Sequence, residues 1–182
     1  MHIFIVNGAP SAGKTTFENI IKQILPNDYC EILSTIDPIK EVARKLGWNG
    51  EKTPKDRKFL SDLKDLCSEW GDTSFKYIKK RLSVIEKNFE VYGMTADKVI
   101  VFIDSREPDE IERFRKELGA KVILIRRPSG AVEEISNHAD RDVENVIYDY
   151  IIDNIGDLND LKAGCEFFLD YVYNGYKNTQ QN

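Results

Sequence analysis

The sequence predicts an α/β fold: a parallel five-stranded sheet with helices on both faces and a helical insertion between strands 2 and 3. Three observations predict it. The chain opens on an apolar run, residues 2–7, that breaks into a glycine-bounded loop and then into helical periodicity. A later run, Lys98-Val-Ile-Val-Phe-Ile-Asp104, is continuously apolar and ends in a carboxylate, as a parallel strand buried on both faces requires. Finally, five extended segments alternate with helical ones, which wraps helices around a mostly parallel sheet.

The loop Gly8-Ala9-Pro10-Ser11-Ala12-Gly13-Lys14-Thr15-Thr16 matches the P-loop template G-x-x-x-x-G-K-[ST] at every fixed position. The required context, a strand before and a helix after, is also present. Gly8 and Gly13 let the backbone curl so that successive N–H groups point at phosphate oxygens, and the helix N-terminus adds its dipole. Lys14 would reach the β- and γ-phosphates of a nucleoside triphosphate, and the Thr15 hydroxyl would bind Mg²⁺.

Beyond the loop, Phe17, Ile20, Ile21, Ile24 and Leu25 recur at helical spacing until Pro26-Asn27-Asp28 stops the helix. Residues 29–36 read as the second strand. Asp37-Pro38 reads as an N-cap and first-turn pair opening a short helix with Ile39, Val42, Ala43 and Leu46. From Pro54, the residues Phe59, Leu60, Leu63, Leu66, Cys67 and Trp70 mark one apolar helix face. Gly71-Asp72-Thr73 breaks that helix, and Phe75, Ile78, Leu82, Ile85 and Phe89 mark the next. A simple crossover needs one helix, so the additional pair is an insertion suited to covering a substrate.

After the third strand, Ser105–Pro108 leads to a helix carrying Ile111, Phe114 and Leu118, capped by Gly119. Residues 120–125 form a buried strand ending in Arg126-Arg127-Pro128. Residues 128–146 are polar and lid-like, 148–153 form the last strand, and the closing helix carries Leu158, Leu161, Cys165, Phe168, Leu169 and Val172. The expected organisation is a single domain over residues 1–177, with 37–95 as the helical acceptor-binding insertion, followed by a disordered tail at 178–182.

With 182 residues the chain suits one domain with a substantial core. Its 41% hydrophobic and 31% charged content is that of an ordinary globular protein, and its apolar runs are too short to span a bilayer. No signal peptide is legible, so a cytoplasmic location is expected. Cys30, Cys67 and Cys165 are isolated and read as buried thiols rather than metal ligands or disulfides. A net charge of −5 argues against general nucleic-acid binding and for a small phosphate-bearing ligand in a locally basic cleft.

Ligands of an open α/β sheet bind at the carboxyl ends of its strands, so the residues at each strand exit are the informative ones. These exits supply the P-loop, then Asp37, then Asp104 and Arg106, then Arg126 and Arg127, and finally Asn154. Together they contain the parts that phosphoryl transfer needs: a phosphate cradle, a carboxylate to organise Mg²⁺, and arginines to neutralise transferred charge. Asp104 reads as the metal-organising, Walker B type carboxylate, with a turn or helix cap as the alternative. Arg106 would grip an acceptor phosphate, with an ion pair to Glu107 or Glu110 as the alternative. Arg126 and Arg127 cannot both face one way, and Arg126 is the one expected at the donor phosphates. Arg141 is a lid arginine or an exposed loop charge; His138 has no partner by spacing and receives no role. In the insertion, Lys40, Arg57 and Lys64 are basic candidates or plain solvated charges.

The P-loop, Asp37-Pro-Ile-Lys40, the Asp104-Ser-Arg106-Glu-Pro segment, Arg126-Arg127-Pro128 and the late Tyr148–Asn154 stretch together resemble the phage-type deoxynucleoside monophosphate kinases. These belong to the wider P-loop nucleoside and nucleotide kinases, which include adenylate kinase and dephospho-CoA kinase. The resemblance spans nearly the whole chain and implies transfer of the γ-phosphoryl of ATP to a nucleoside monophosphate, with Mg²⁺. Carried over by position, Lys14 and Thr15 hold donor phosphates and metal, Asp104 organises the metal, and Arg106 meets the acceptor phosphate. Asp37 and Lys40 fall in the acceptor-binding part, and Asn154 lies near the donor base; apart from the resemblance, Arg57 and Arg141 are taken as further substrate-binding candidates. Unlike adenylate kinase, residues 128–146 contain one arginine, Arg141, and no regular series. Two other readings stand beside this one: a P-loop kinase of another small metabolite, such as dephospho-CoA or phosphomevalonate, and a nucleotide-binding regulatory switch. The chain lacks the guanine-specifying Asn-Lys-x-Asp motif, which ranks the switch last.

Overall fold

At the centre of the sheet lies β1 (His2–Asn7), the strand that feeds the P-loop. The computed structural model describes residues 1–26, 28–127 and 146–175. The sheet has five strands in the order β2 (Cys30–Ser34), β3 (Ile100–Asp104), β1, β4 (Lys121–Arg126) and β5 (Tyr150–Asp153). β1 runs parallel to β3 and to β4, and β4 parallel to β5. Register sets the functional edge. Val6 lies opposite Asp104, Asn7 opposite Leu124, and Arg126 opposite Asp153, so the carboxyl ends of four strands open side by side.

The helices are α1 (Lys14–Ile24), α2 (Asp37–Lys45), α3 (Pro54–Gly71), α4 (Thr73–Val91), α5 (Pro108–Leu118) and α6 (Leu158–Asn174). The chain divides into two compact units, Met1–Ile32 with Asp97–Asn182, and Leu33–Ala96. In the first, strand alternation sends Phe4 and Val6 of β1, Ile100 and Phe102 of β3, and Ile123 and Ile125 of β4 into one core with Phe17 and Ile21 of α1 and Cys165 and Phe168 of α6. The aromatic rings of Phe4, Phe17, Phe102, Phe168 and Tyr150 meet at centroid separations of 5.1–6.1 Å, mostly edge to face. α5 packs against β4 through its buried Ile111 and Phe114. Gly119, at φ 64°, ends α5 as its position after Leu118 predicts.

The second unit is helical. Thr53 and Asp56 form a capping box at the start of α3, each side chain accepting the other's backbone N–H, and Pro54 fills the first turn. Asp72, at φ 54°, ends α3 and starts α4. α4 buries Phe75, Ile78, Leu82, Ile85 and Phe89 as one stripe, and α2, α3 and α4 pack on one another.

Three expectations are corrected. β2 ends at Ser34 rather than reaching Ile36, and Ile36 takes the N-cap position while Asp37 is the first helical residue. The Asp37 carboxylate still turns back to accept the Ser34 N–H at 3.2 Å. The apolar face of α3 is only partly covered: Phe59, Leu60 and Leu63 are half-covered, and Leu66 and Trp70 are exposed, Trp70 by 91%. Cys67, on that same helix, is therefore half-buried, whereas Cys30 and Cys165 are buried, with their thiols pushed up to about 12 by desolvation. No helix among the described residues is long and apolar enough to cross a membrane. The lid-like segment, except Val146, and the 178–182 tail lie outside the described residues.

Candidate active site

The P-loop takes its shape from left-handed backbone at three points: Gly8 (φ 145°), Ser11 (φ 59°) and Gly13 (φ 102°). Two of these glycines have a second reason to be glycine. A Cβ on Gly8 would stand 2.3 Å from the backbone carbonyl oxygen of Ile125 in β4, and one on Gly13 would stand 2.5 Å from Nδ2 of Asn154. The loop is also held at both ends by a carboxamide. At its start, Asn7, fully buried, accepts the Gly8 N–H on Oδ1 at 2.7 Å and donates from Nδ2 to the Tyr148 hydroxyl at 3.2 Å. Burial pushes the Tyr148 phenol up to about 12, so it stays protonated at neutral pH. At its end, the buried Asn154 donates from Nδ2 to the Ala12 carbonyl at 2.9 Å, while its own N–H binds the Arg126 carbonyl at 2.8 Å.

Gly13 supplies no side-chain cap to α1, and no acidic residue sits in that helix's first turn. The leading N–H groups and the positive end of the helix dipole at such an N-terminus attract anions. Lys14 arches back over the loop, its ammonium donating to the carbonyls of Gly8 at 2.7 Å and Ala9 at 2.9 Å. The Thr15 side chain lies one residue on, exposed.

Beside the loop, a feature not read from the sequence is an acidic pair. Glu18, one helical turn after Lys14, is only 1% exposed and hydrogen-bonds the Asp104 side chain at the end of β3. Burial first, then the Asp104 charge and this hydrogen bond, push the Glu18 carboxyl up to about 8 against the opposing pull of Lys14. The pair therefore holds a proton at neutral pH. Glu18 Oε1 is buried without a hydrogen-bond partner among the described residues. The Thr15 hydroxyl and the Asp104 carboxylate are hard donors of the type Mg²⁺ takes, so the residues present fit that ion. No group of three His, Cys, Asp or Glu side chains that could hold a metal ion occurs among the described residues. A metal here would thus depend on ligand oxygens and waters as well.

Arg106 stands half-buried two residues past Asp104. The turn beneath it is fixed by Ser105, whose buried hydroxyl donates to Glu110 at 2.8 Å. Arg126, expected at the donor phosphates, has a partner of its own: Nε and Nη2 grip the Asp153 carboxylate at 2.6 and 2.9 Å, across the β4–β5 register. The Arg126 hydrogen bond holds the Asp153 carboxyl below its usual range. In the helical unit, Lys40 pairs with Asp37 at 3.2 Å, and the exposed Arg57 donates to the Lys52 carbonyl at 3.3 Å. Arg141 lies outside the described residues. The strand ends of the first unit thus gather the P-loop, Asp104, Arg106, Arg126 and Asn154. Asp37 and Lys40 meet in the second unit, and Arg57 lies on α3.

No protein-family model matches the chain, and a search of curated proteins finds no match. Solved structures do match. Dephospho-CoA kinase from Campylobacter jejuni superposes with a TM-score of 0.58 at 16% identity, over 95% of this chain and 98% of that one. Shikimate kinase from Acinetobacter baumannii gives 0.46 at 16% identity, over 97% and 94%. Thymidylate kinase from Ehrlichia chaffeensis gives 0.43 at 12%, over 93% and 98%. The first of these shows the fold: the chain has the α/β architecture of a P-loop kinase over nearly its full length.

Proposed function

We propose that this protein is an ATP-dependent phosphotransferase that passes the γ-phosphoryl group to a nucleoside or deoxynucleoside monophosphate. The observation that carries the reading is the β1–β3 register, which sets the Asp104 carboxylate beside the strand that leads into a P-loop clamped by Asn7 and Asn154. A cradle with a carboxylate at its flank suits a metal-bound triphosphate, and phosphoryl transfer asks for little else from the protein than position and charge. In this reading the α1 N-terminus and Lys14 hold the donor phosphates, and Arg106 orients the acceptor. An acceptor oxygen attacks the γ-phosphorus in line as the bond to the β–γ bridging oxygen breaks, so no side chain serves as nucleophile. Thr15 and Asp104 would hold Mg²⁺, which neutralises the charge that develops on the phosphate oxygens.

The monophosphate acceptor is supported by the resemblance of the Asp37–Lys40, Asp104–Pro108 and Tyr148–Asn154 segments to phage-type deoxynucleoside monophosphate kinases. The fold shared with a dephospho-CoA kinase supports a second reading, in which the same donor site serves another small acceptor. One assay separates them: ADP release from ATP and Mg²⁺, measured against all common ribo- and deoxyribonucleoside monophosphates, dephospho-CoA, phosphomevalonate and no acceptor. Stimulation by one or a few monophosphates is expected. Stimulation by dephospho-CoA or phosphomevalonate alone selects the second reading, and slow release that ignores every acceptor rejects both.

A further inference from the structure

We propose that Glu18 is a positioning residue for the donor site, its buried side chain holding the Asp104 carboxylate in the orientation that a nucleotide-bound Mg²⁺ requires. The inference rests on the reading of Asp104 as the metal-organising carboxylate.

The argument begins with the helix. Residues 14, 17, 18 and 21 share one face of α1, and Phe17 and Ile21 on that face are buried in the core. A position between them that serves packing alone would be apolar, because burying a carboxyl without a compensating partner is unfavourable. Glu18 is nevertheless 1% exposed. Its partner is Asp104, the last residue of β3, held at its level by pairing with Val6 at the P-loop entrance. The two carboxyls come from different elements and meet by hydrogen bond, which fixes Asp104 to α1, the same helix that carries Lys14 and Thr15. The position of the metal-organising carboxylate is therefore tied to the helix that carries the phosphate-binding lysine.

The Glu18 carboxyl carries a further observation. Oε1 is buried with no hydrogen-bond partner among the described residues, and buried acceptors are nearly always satisfied. A buried carboxyl placed in this way stands where a residue behind a metal's own ligands would stand.

The test measures binding of a non-hydrolysable ATP analogue to the full chain by calorimetry, with and without Mg²⁺, alongside thermal melting of the free protein. Glu18→Met fills the volume without a hydrogen-bonding group, and Glu18→Gln keeps an N–H donor for Asp104. The Mg²⁺-dependent gain in affinity is expected to shrink by about tenfold or more in Glu18→Met, as for other groups behind metal ligands, and to stay within about threefold of wild type in Glu18→Gln. Metal-free affinity should stay near wild type in both. A full Mg²⁺ gain in Glu18→Met overturns the proposal. So does an equal loss of metal-free and metal-dependent affinity, which would make Glu18 a support for the loop as a whole. If Glu18→Met does not fold, Glu18→Asp, one methylene too short to reach Asp104, must show the same loss. Wild type separates the premises: analogue binding with no Mg²⁺ gain removes the metal reading and this proposal with it, and no binding removes the P-loop reading.

Discussion

Asn154 donates from Nδ2 to the Ala12 carbonyl at 2.9 Å, fastening the exit of β5 to the far limb of the P-loop across 142 residues of sequence. The contact gives Asn154 a task in holding the loop. Asn154→Ala would leave the buried carbonyl of Ala12 unpaired, a loss of about 1–3 kcal/mol of stability in denaturant melts. Affinities for ATP and GTP analogues should then fall by the same factor. A change in the ratio of the two affinities, with stability untouched, would return Asn154 to the base.

Gly8 is confined twice, by its φ of 145° and by the Ile125 carbonyl 2.3 Å from where a Cβ would stand. Gly93 has φ 66° and open space around its would-be Cβ. Alanine at position 93 should cost about 1 kcal/mol, the ordinary penalty for left-handed backbone. Alanine at position 8 must also push β1 and β4 apart, and should cost more than about 3 kcal/mol or prevent folding. Comparable urea midpoints for the two variants would show that the β4 carbonyl gives way freely.

The raised Glu18 carboxyl predicts the pH dependence of stability. In the unfolded chain it releases its proton near 4.5, and in the folded chain near 8. Below 4.5 both states are protonated. Between 4.5 and 8 the folded state holds a proton that the unfolded state has lost, so stability falls as pH rises through this window and levels off above it. The slope approaches about 1.4 kcal/mol per pH unit, and the whole fall is at most about 5 kcal/mol. Glu18→Gln removes the term. Its melting temperature should overtake that of wild type on going from pH 5 to pH 8, and parallel curves would mean that the pair does not share a proton.

The sheet was legible because its strands announce themselves: three are continuous apolar runs, and each ends in the polar residues that a strand exit carries. Asp104 and Asn154 could be picked by position at those exits. Glu18 could not be picked by composition, since a glutamate on a helix is most often solvated. The signal was its place at i+4 from Lys14, between the buried Phe17 and Ile21, where a charge belongs to a buried partner or nowhere. Asn7 and Tyr148 were hidden for another reason: their hydrogen bond joins residues 141 apart and depends on a sheet order that no local pattern encodes. The pairing of Arg126 was not legible because Asp153, its partner, lies one strand away. On α3, Leu66 and Trp70 have helical spacing without burial, for periodicity reports a face and not what covers it.

Lys14 holds the carbonyls of Gly8 and Ala9, so its removal affects the empty loop as well as the loaded one. Lys14→Ala should abolish phosphoryl transfer. The free protein should lose no more than about 1–2 kcal/mol, because the lost hydrogen bonds are partly exposed and water can replace them. Activity within a few fold of wild type would take the lysine out of the reaction.

Arg106 follows Asp104 by two residues on a turn that the Ser105–Glu110 hydrogen bond fixes, so its guanidinium is carried by a rigid base next to the Asp104 carboxylate. If it grips the acceptor phosphate, two charge-assisted hydrogen bonds are lost in Arg106→Ala, worth about 3–5 kcal/mol together, or a fall of roughly two to three orders of magnitude in kcat/KM for the acceptor. ATP-analogue affinity should change by less than about threefold, since the donor phosphates depend on Lys14 and the α1 N–H groups. Arg106→Lys, which keeps the charge but not the planar fork, should recover only part of the loss. Equal loss for donor and acceptor would instead assign Arg106 to holding the β3–α5 turn, and that outcome should come with a lower melting temperature.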